Sequence, residues 1–192
     1  MDAPEATRTL LTERFDRALA YASALHRRQT RKGSDVPYVS HLLAVAAIVI
    51  ENGGDEDQAV GALLHDAAED QGGEPRLREI EALFGPAVAR IVADCTDSWV
   101  EPKPDWKTRK VAYLAALPGK PAASLLVSLA DKTHNARAIA FDRGIVGDAV
   151  WERFTGGHEG SLWYYRSLAA VFATALPGPL ADELGRIVAG LA

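Results

Sequence analysis

Apolar residues recur at three- and four-residue spacing along most of the 192-residue chain, and this periodicity limits the fold more than any other feature. Such spacing predicts amphipathic helices, and β-branched residues alternate with polar ones nowhere for long, so strands are nearly excluded. Gly and Pro separate the periodic stretches. We therefore predict helices over residues 9–28, 38–50, 55–70, 75–84, 86–97, 106–117, 122–140, 161–175 and 179–191. A short turn is expected over residues 151–154, followed by a flexible, exposed loop, GGHEG, that contains His158.

Length and composition predict one helical domain over residues 1–192, since a chain of this size builds a single substantial core. No run approaches the roughly 20 apolar residues of a membrane span, and the first ten residues lack the apolar segment of a secretory signal. A single cysteine, Cys95, excludes an intrachain disulfide and is expected to pack in the core. We therefore expect a cytoplasmic protein. Its net charge of −5 argues against nucleic-acid and anionic-membrane partners, and the sequence does not indicate an oligomeric state.

The segment GALLHDAAED carries the densest group of ionisable residues on a predicted helix. Its apolar residues must face the core, so His65, Asp66, Glu69 and Asp70 share the opposite arc. This arc contains no Lys or Arg, and Asp70 lies at the C-terminal end, where the helix dipole disfavours an anion. Such an unpaired acidic group is typical of a cation site. The alternative is an ordinary exposed acidic face with one histidine.

Two further polar residues interrupt apolar runs. His41 opens HLLAVAAIVI, and Asp131 ends SLLVSLAD. A lone histidine is more often a core or capping residue, but a carboxylate beside such a run is costly to bury unless it is paired or binds a metal. Together with His65 and Asp66, these residues offer two imidazoles and two carboxylates, a ligand set that suits a first-row divalent ion such as Mn²⁺.

A basic cluster surrounds His26. Its members are Arg27, Arg28, Arg31 and Lys32. The cluster is either a docking surface for an anionic substrate or the solvated end of a helix, and charge alone favours the second interpretation.

The order His, His-Asp, then a distant Asp resembles the pattern of the HD phosphohydrolase superfamily. Three segments, RKGSDVPYVSHLLAVA, ALLHDAAED and SLADKTHNAR, are similar to the hydrolase domain of the RelA/SpoT family. The similarity covers residues 26–137 and leaves no room for an alarmone synthetase domain, so the chain resembles the stand-alone small alarmone hydrolases. The resemblance implies an all-α HD-type fold and Mn²⁺-dependent removal of the 3′-pyrophosphate of ppGpp, giving GDP and pyrophosphate.

The resemblance also assigns roles to individual residues. It implies that His41, His65, Asp66 and Asp131 bind Mn²⁺. Glu69 and Asp70 match the pair that positions and deprotonates the attacking water. The remaining matches are expected to contact the nucleotide substrate, and they are Arg31, Lys32, Arg109, Lys110, Lys132, Asn135 and Tyr164. His134 is interpreted as structural, and His26 receives no role.

This chain departs from the family pattern at two places. Gln71, Gly72 and Gly73 follow the Glu-Asp pair, where threonine is usual, and Leu42 replaces a proline after the first ligand histidine. Three alternatives stay open at this point. The substrate is another nucleotide such as ppApp or NADPH, or the chain is a catalytically decayed nucleotide-binding regulator, or it is a purely structural helical protein.

Overall fold

The computed structural model describes residues 11–99 and 102–191, and helices dominate this part of the chain. One isolated β-bridge joins Thr30 to Pro37, and no strand occurs among the described residues. The α-helices in chain order are α1 Glu13–Leu25, α2 Val39–Glu51, α3 Glu56–Leu64, α4 Ala67–Asp70, α5 Gly73–Phe84, α6 Pro86–Cys95, α7 Trp106–Ala116, α8 Ala122–Val146, α9 Gly157–Ala175 and α10 Pro179–Gly190. Two 3₁₀ segments, Leu117–Gly119 and Gly147–Arg153, flank α8.

Local capping interactions explain where several helices begin. Thr12 accepts a hydrogen bond from the Arg14 backbone N–H at the start of α1. Asp55 and Gln58 form a reciprocal capping box at the start of α3, which satisfies two otherwise unpaired backbone donors. Pro179 opens α10, a position where its missing N–H costs nothing.

The longest helix, α8, lies at the centre of the bundle. It packs against α2, α3, α6, α9 and α10. Its inner face buries Leu125, Leu129 and Ala136. The polar residue Asp131 is also buried there, at 5% exposure, so α8 carries a carboxylate into the interior. Among residues 11–99 and 102–191, no helix has both the length and the apolar character needed to cross a bilayer.

The structure differs from the predicted elements at several places. The helix predicted over 122–140 continues to Val146, and the turn expected over 151–154 is part of the 3₁₀ segment Gly147–Arg153. The first helix begins at Glu13, and the predicted start at Thr9 lies outside the described residues. The helix predicted over 55–70 is interrupted at His65 and Asp66, which separate α3 from α4. The loop expected at GGHEG is wrong, because α9 begins at Gly157 and the half-buried His158 ring lies 5.0 Å from the Trp151 ring.

Candidate metal and substrate site

Four side chains from three regions of the bundle meet below a cavity. His41 comes from the first turn of α2, His65 and Asp66 from the α3–α4 junction, and Asp131 from α8. The ligand atoms of His41, His65 and Asp66 all lie within 4.8 Å of one another. Asp131 Oδ1 lies 3.2 Å from His41 Nε2 and 3.7 Å from His65 Nε2. We call these four residues the ligand cluster.

The interruption between α3 and α4 fixes the direction of the His65 ring. His65 Nδ1 lies 2.8 Å from the Ala62 carbonyl oxygen, which only accepts, so Nδ1 carries the proton. Nε2 therefore points into the cluster, 3.0 Å from Asp66 Oδ2 and 3.7 Å from Asp131 Oδ1. The residue is 1% exposed. Burial opposes protonation, but Asp66 and Asp131 outweigh it and raise the pKa of His65 well above its usual range, so without a metal Nε2 holds a proton between the two carboxylates. A buried imidazole nitrogen that faces two carboxylates fits a metal ligand, and a divalent cation would take the place of that proton.

His41 is oriented by a second histidine. Its Nδ1 lies 2.8 Å from Nδ1 of His134, so one ring donates to the other. Burial, together with the neighbouring His41 and Arg31, lowers the pKa of His134 to about 4, and His134 is therefore neutral at pH 7. When His41 is the donor, its Nε2 lone pair faces Asp66 and Asp131, as a metal ligand requires.

Both carboxylates of the cluster are held as anions. Burial opposes ionisation of Asp66, but His65 and His41 outweigh it and lower the pKa of Asp66 well below its usual range. Burial likewise opposes ionisation of Asp131, and Lys132, His41 and His65 lower its pKa well below the usual range. Two anionic oxygens and two imidazole nitrogens thus converge, which suits a divalent cation.

Hydrogen-bond donors fix the orientation of these carboxylates. The Tyr38 hydroxyl donates to Asp66 Oδ2 at 2.5 Å. Burial, with Asp66 nearby, raises the pKa of Tyr38, so the phenol stays protonated and remains a donor. Asn135 Nδ2 donates to Asp131 Oδ1, and Lys132 Nζ pairs with Asp131 Oδ2, both at 2.5 Å.

Glu69 and Asp70 line the cavity beside the cluster. Glu69 Oε1 accepts from Lys103 Nζ at 3.1 Å, and Oε2 accepts from the Asp97 backbone N–H at 3.2 Å. Burial and the Asp97 charge raise the pKa of Glu69. Burial and Asp66 raise the pKa of Asp70. The prediction that this acidic arc lacks a basic partner is therefore wrong for Glu69, because Lys103 arrives from a distant part of the chain.

The cavity has a volume of about 320 Å³ and a lining rich in charge. Three of its cations are paired with carboxylates, since Lys132 binds Asp131, Lys110 binds Asp97 and Arg153 binds Asp142. Arg31 and Lys32 differ. Arg31 donates to the neutral Asn135 side chain at 2.7 Å, and Lys32 lies over the Phe154 ring.

No carboxylate in residues 11–99 or 102–191 comes within 4 Å of the Arg31 or Lys32 cationic group. We call these two residues the basic rim. Because their charge is not balanced by the protein, they are the cavity cations best suited to bind an anion.

Most residues assigned by the resemblance meet in this one place. Apart from the basic rim, the assigned residues that line the cavity are Asp66, Glu69, Asp70, Lys110, Asp131, Lys132, Asn135 and Tyr164. His41 and His65 lie beneath it, each 1% exposed. Arg109 is the exception, because its Nη1 binds both oxygens of Asp97 at 2.6 Å and the residue is not part of the lining.

Comparison with known proteins decides the family. The family model described as an HD domain matches residues 18–145 of this chain. The chain belongs to the HD-domain family. This match confirms the all-α HD fold predicted from the sequence, and the described residues contain no strand. The relatives given next confirm the resemblance to RelA/SpoT-type hydrolases.

Individual relatives agree with this assignment. The chain is 39% identical over 123 residues to guanosine-3′,5′-bis(diphosphate) 3′-pyrophosphohydrolase MESH1 of Xenopus tropicalis, and 37% identical to the Homo sapiens protein of that name. Each match covers 62% of this chain and 66% of the relative, so this HD-domain chain spans slightly less than two thirds of their length. A solved structure titled as a metazoan ortholog of SpoT that hydrolyses ppGpp matches with a TM-score of 0.78 and 25% identity, covering 95% of this chain and 97% of that one.

The sequence did not predict several residues that contact the assigned ones, among them Asp97, whose N–H donates to Glu69 and whose carboxylate binds Lys110. Four others act directly on the candidate ligands and on the Glu69–Asp70 pair. They are Tyr38 and His134, which contact candidate ligands, Lys103, which pairs with Glu69, and Gln29, which donates to Asp70 Oδ2 at 2.7 Å. Gln29 follows Arg28 and lies two positions before Arg31, and this closeness to the basic cluster is the one sequence signal that points to it. Lys103 lies in a loop between prolines and carries no such signal.

Proposed function

We propose that this HD-domain protein is a metal-dependent phosphohydrolase that removes the 3′-pyrophosphate of ppGpp, giving GDP and pyrophosphate. One observation carries the proposal. A buried cluster of two imidazoles and two carboxylates lies beneath a cavity whose rim holds two cations without carboxylate partners. The relatives named as 3′-pyrophosphohydrolases support the choice of substrate. The single cysteine fits a reducing compartment, and we propose a cytoplasmic location.

We propose Mn²⁺ as the cofactor, held by His41, His65, Asp66 and Asp131. The mixed nitrogen and oxygen donors fit such an ion, and Nε2 of His65 would bind it in exchange for a proton. A divalent ion in this place supplies Lewis-acid polarisation of a phosphoryl oxygen and lowers the pKa of water. The protein's part is to hold the four donor atoms close together and to keep both carboxylates ionised.

Glu69 is the proposed general base, with Asp70 beside it. Hydrolysis forms a bond between a water oxygen and the phosphorus attached to the 3′ oxygen, and it breaks the bond from that phosphorus to the 3′ oxygen. The water proton passes to the Glu69 carboxylate, and the leaving 3′ oxygen becomes a hydroxyl by taking a proton from solvent, to which Glu69 in turn releases its own. The Lys103 and Asp97 contacts hold Glu69 in place while its raised pKa makes it a better proton acceptor.

The phosphates are proposed to bind the basic rim and its neighbours. Arg31 and Lys32 have charge to offer without breaking an ion pair, whereas Lys110 and Lys132 already share their charge with Asp97 and Asp131. The Tyr164 hydroxyl is buried, has no partner among the described residues and lines the cavity. Burial raises its pKa to about 12, so it is a donor that awaits an acceptor such as a phosphate oxygen. Arg109 acts on this set only through Asp97.

The rivals differ in substrate or in activity. An adenosine counterpart such as ppApp, or NADPH, would use the same ligand cluster and basic rim. A decayed regulator would keep the nucleotide pocket and lose chemistry, but the ligand cluster and the Glu69–Asp70 pair are all present here.

The deciding experiment is release of phosphate and pyrophosphate from ppGpp, ppApp and NADPH. Each assay is run with Mn²⁺, after chelation, and after Mn²⁺ is added back. We expect Mn²⁺-dependent pyrophosphate release with ppGpp preferred. Preference for ppApp or phosphate release from NADPH would change the substrate, and binding of all three without turnover would establish the regulator.

A further inference from the structure

The Gln29 side chain joins three elements around the Asp70 carboxylate. Its Nε2 donates to Asp70 Oδ2 at 2.7 Å. Its Oε1 lies 2.7 Å from His26 Nδ1 and 2.8 Å from Gln71 Nε2. We call these four residues the Gln29 network. They link the end of α1, the following loop and the end of α4.

Only one orientation of the Gln29 amide satisfies this network. An ionised carboxylate only accepts, so the NH₂ group of Gln29 must face Asp70. The carbonyl oxygen then faces Gln71 Nε2 and His26 Nδ1, both of which donate to it. A flipped amide would set its oxygen against the Asp70 carboxylate. The hydrogen bonds that Gln29 Oε1 accepts from His26 and Gln71 therefore keep the Gln29 NH₂ group facing Asp70.

His26 and Gln71, the two donors to Gln29 Oε1, are themselves held in place. His26 is 2% exposed and stacks on the Tyr38 ring, with centroids 5.2 Å apart. The Gln71 carbonyl accepts from Arg76 Nε at 3.0 Å. Gly72 turns the chain directly after Gln71 with a φ of 131°, a conformation that L side chains rarely adopt. Gln71 stands where the family pattern has threonine, and its longer side chain is what reaches Gln29.

We propose that the Gln29 amide, oriented by His26 and Gln71, positions the Asp70 carboxylate for the hydrolytic reaction. Gln29 occupies one oxygen of Asp70, and Asp70 lines the cavity beside the ligand cluster. The second oxygen is thereby kept for the reacting groups. Gln29 is a positioning residue, since it lies outside the cavity lining and acts through Asp70. This inference rests on the proposed function.

The sharpest variant is Gln29→Glu. The introduced carboxylate still accepts from His26 and Gln71 through one oxygen, so those contacts survive, but its other oxygen meets the Asp70 carboxylate. Like charges disfavour ionisation, so Asp70 and the introduced carboxyl should titrate as a pair about 1 pH unit or more above Asp70 in the parent protein. The other charged or titratable groups that influence Asp70 are Asp66, His26 and Lys103. The substitution does not touch Asp66 or Lys103, but it places a carboxylate against His26 Nδ1, so the His26 ring is followed in the same titration.

The first readout is independent of activity. We would follow the Asp70 carboxyl carbon by ¹³C NMR against pH in the Mg²⁺-loaded protein, because Mn²⁺ is paramagnetic. Gln58→Glu is the matched control, since it adds the same charge at the capping box of α3, where the Glu carboxylate still accepts from the Asp55 backbone N–H and only the long contact to the Ala123 carbonyl is lost. An Asp70 titration that is the same in Gln29→Glu and Gln58→Glu would overturn the proposal.

The second readout is turnover. Gln29→Leu should lower kcat for ppGpp about 10-fold while Mn²⁺ binding is retained, within the range typical of partners that orient a functional group. Gln71→Leu keeps the Gln29–Asp70 hydrogen bond and removes only one of the two donors to Gln29 Oε1, because His26 remains. It should therefore have a smaller effect of the same kind. In an Asp70→Asn background, both substitutions should have no further effect on kcat. Equal losses with and without Asp70 would reject a role through that residue.

The two hypotheses fail in different ways. If no nucleotide in the panel is hydrolysed and Gln29→Glu still raises the Asp70 titration, the proposed function fails and the Gln29–Asp70 coupling stands. If ppGpp is hydrolysed and neither the titration nor kcat responds to Gln29, the positioning role fails alone.

Discussion

The ligand cluster and the basic rim lie on the same cavity but are built differently. The cluster comes from α2, the α3–α4 junction and α8, and its side chains are held by Ala62, His134, Tyr38, Asn135 and Lys132. The rim comes from the loop between α1 and α2, where Lys32 is exposed and its contact is with the Phe154 ring. The cluster is oriented before any ligand arrives, whereas the rim keeps its charge available.

This difference divides the work of the site. Preorganised donors are worth most at the reacting centre, where a small displacement costs much of the rate. Cations without carboxylate partners suit the outer phosphates, whose contacts exist before and during the reaction. We therefore expect substitutions in the cluster to abolish chemistry and substitutions in the rim to weaken binding.

The largest effect should come from removing a cluster ligand. His65→Ala and Asp131→Ala should each lose bound metal and reduce kcat by about 10³-fold or more, because the remaining donors no longer complete the site. Metal content by elemental analysis, measured with activity, checks this. His158→Ala is the matched control, since it removes an imidazole that packs against Trp151 and should keep the metal. Full metal occupancy in both ligand variants would remove the distinction between cluster and rim.

A substitution at Glu69, beside the ligand cluster, should separate catalysis from metal binding. Glu69→Gln keeps the size of the side chain, and its single amide oxygen can keep one of the two contacts to Lys103 and the Asp97 N–H, but it lacks the basic oxygen. We expect kcat to fall by about 10² to 10⁴ while the metal stays bound. Glu81→Gln, an exposed change on α5, is the control. Loss of metal together with activity would make Glu69 a ligand, and near-normal turnover would remove it from the mechanism.

The ligand cluster is also the part of the site that was predicted well from the sequence. Helical periodicity placed most helices within a few residues, because burial of one face dominates their stability. His41 and Asp131 were noticed because each interrupts an apolar run, and a polar residue in such a run has to be explained. The α3–α4 interruption was missed, since His65 and Asp66 keep near-helical backbone angles and the apolar pattern runs straight through them.

Contacts between distant segments could not be predicted in the same way. Tyr38 and His134 lie 28 and 93 positions from the residues that they orient, and Lys103 lies 34 from Glu69. Periodicity reports which face of a helix is buried and is silent on which segment lies opposite. His158 shows the reverse error, since three glycines suggested a loop although α9 begins there.

Substitutions in the basic rim should raise KM more than they lower kcat. Arg31→Ala with Lys32→Ala removes contacts made equally in the ground and transition states, so KM for ppGpp should rise about 10-fold with a smaller change in kcat. The defect should shrink towards saturation. The matched control is Arg27→Ala with Arg28→Ala, which removes the same charge from exposed positions outside the cavity lining. Equal KM values for the two double variants would reduce the rim to a solvated basic turn.

The smallest effect should come from Lys103→Met, which tests whether the partners of Glu69 tune its basicity. Burial and Asp97 raise the pKa of Glu69, and the Lys103 ammonium opposes them. A base acts in its ionised form, so activity is lost as pH falls through this pKa, and removing Lys103 should move the acid limb of kcat to higher pH. The shift should be a fraction of a unit, because the Lys103 side chain is 31% exposed and its charge is screened by solvent. A bound divalent ion would lower the pKa of Glu69 in both proteins, so the difference between the two profiles isolates Lys103. A limb that moves to lower pH would contradict this assignment, and an unmoved limb with lowered kcat would make Lys103 a residue that only positions Glu69.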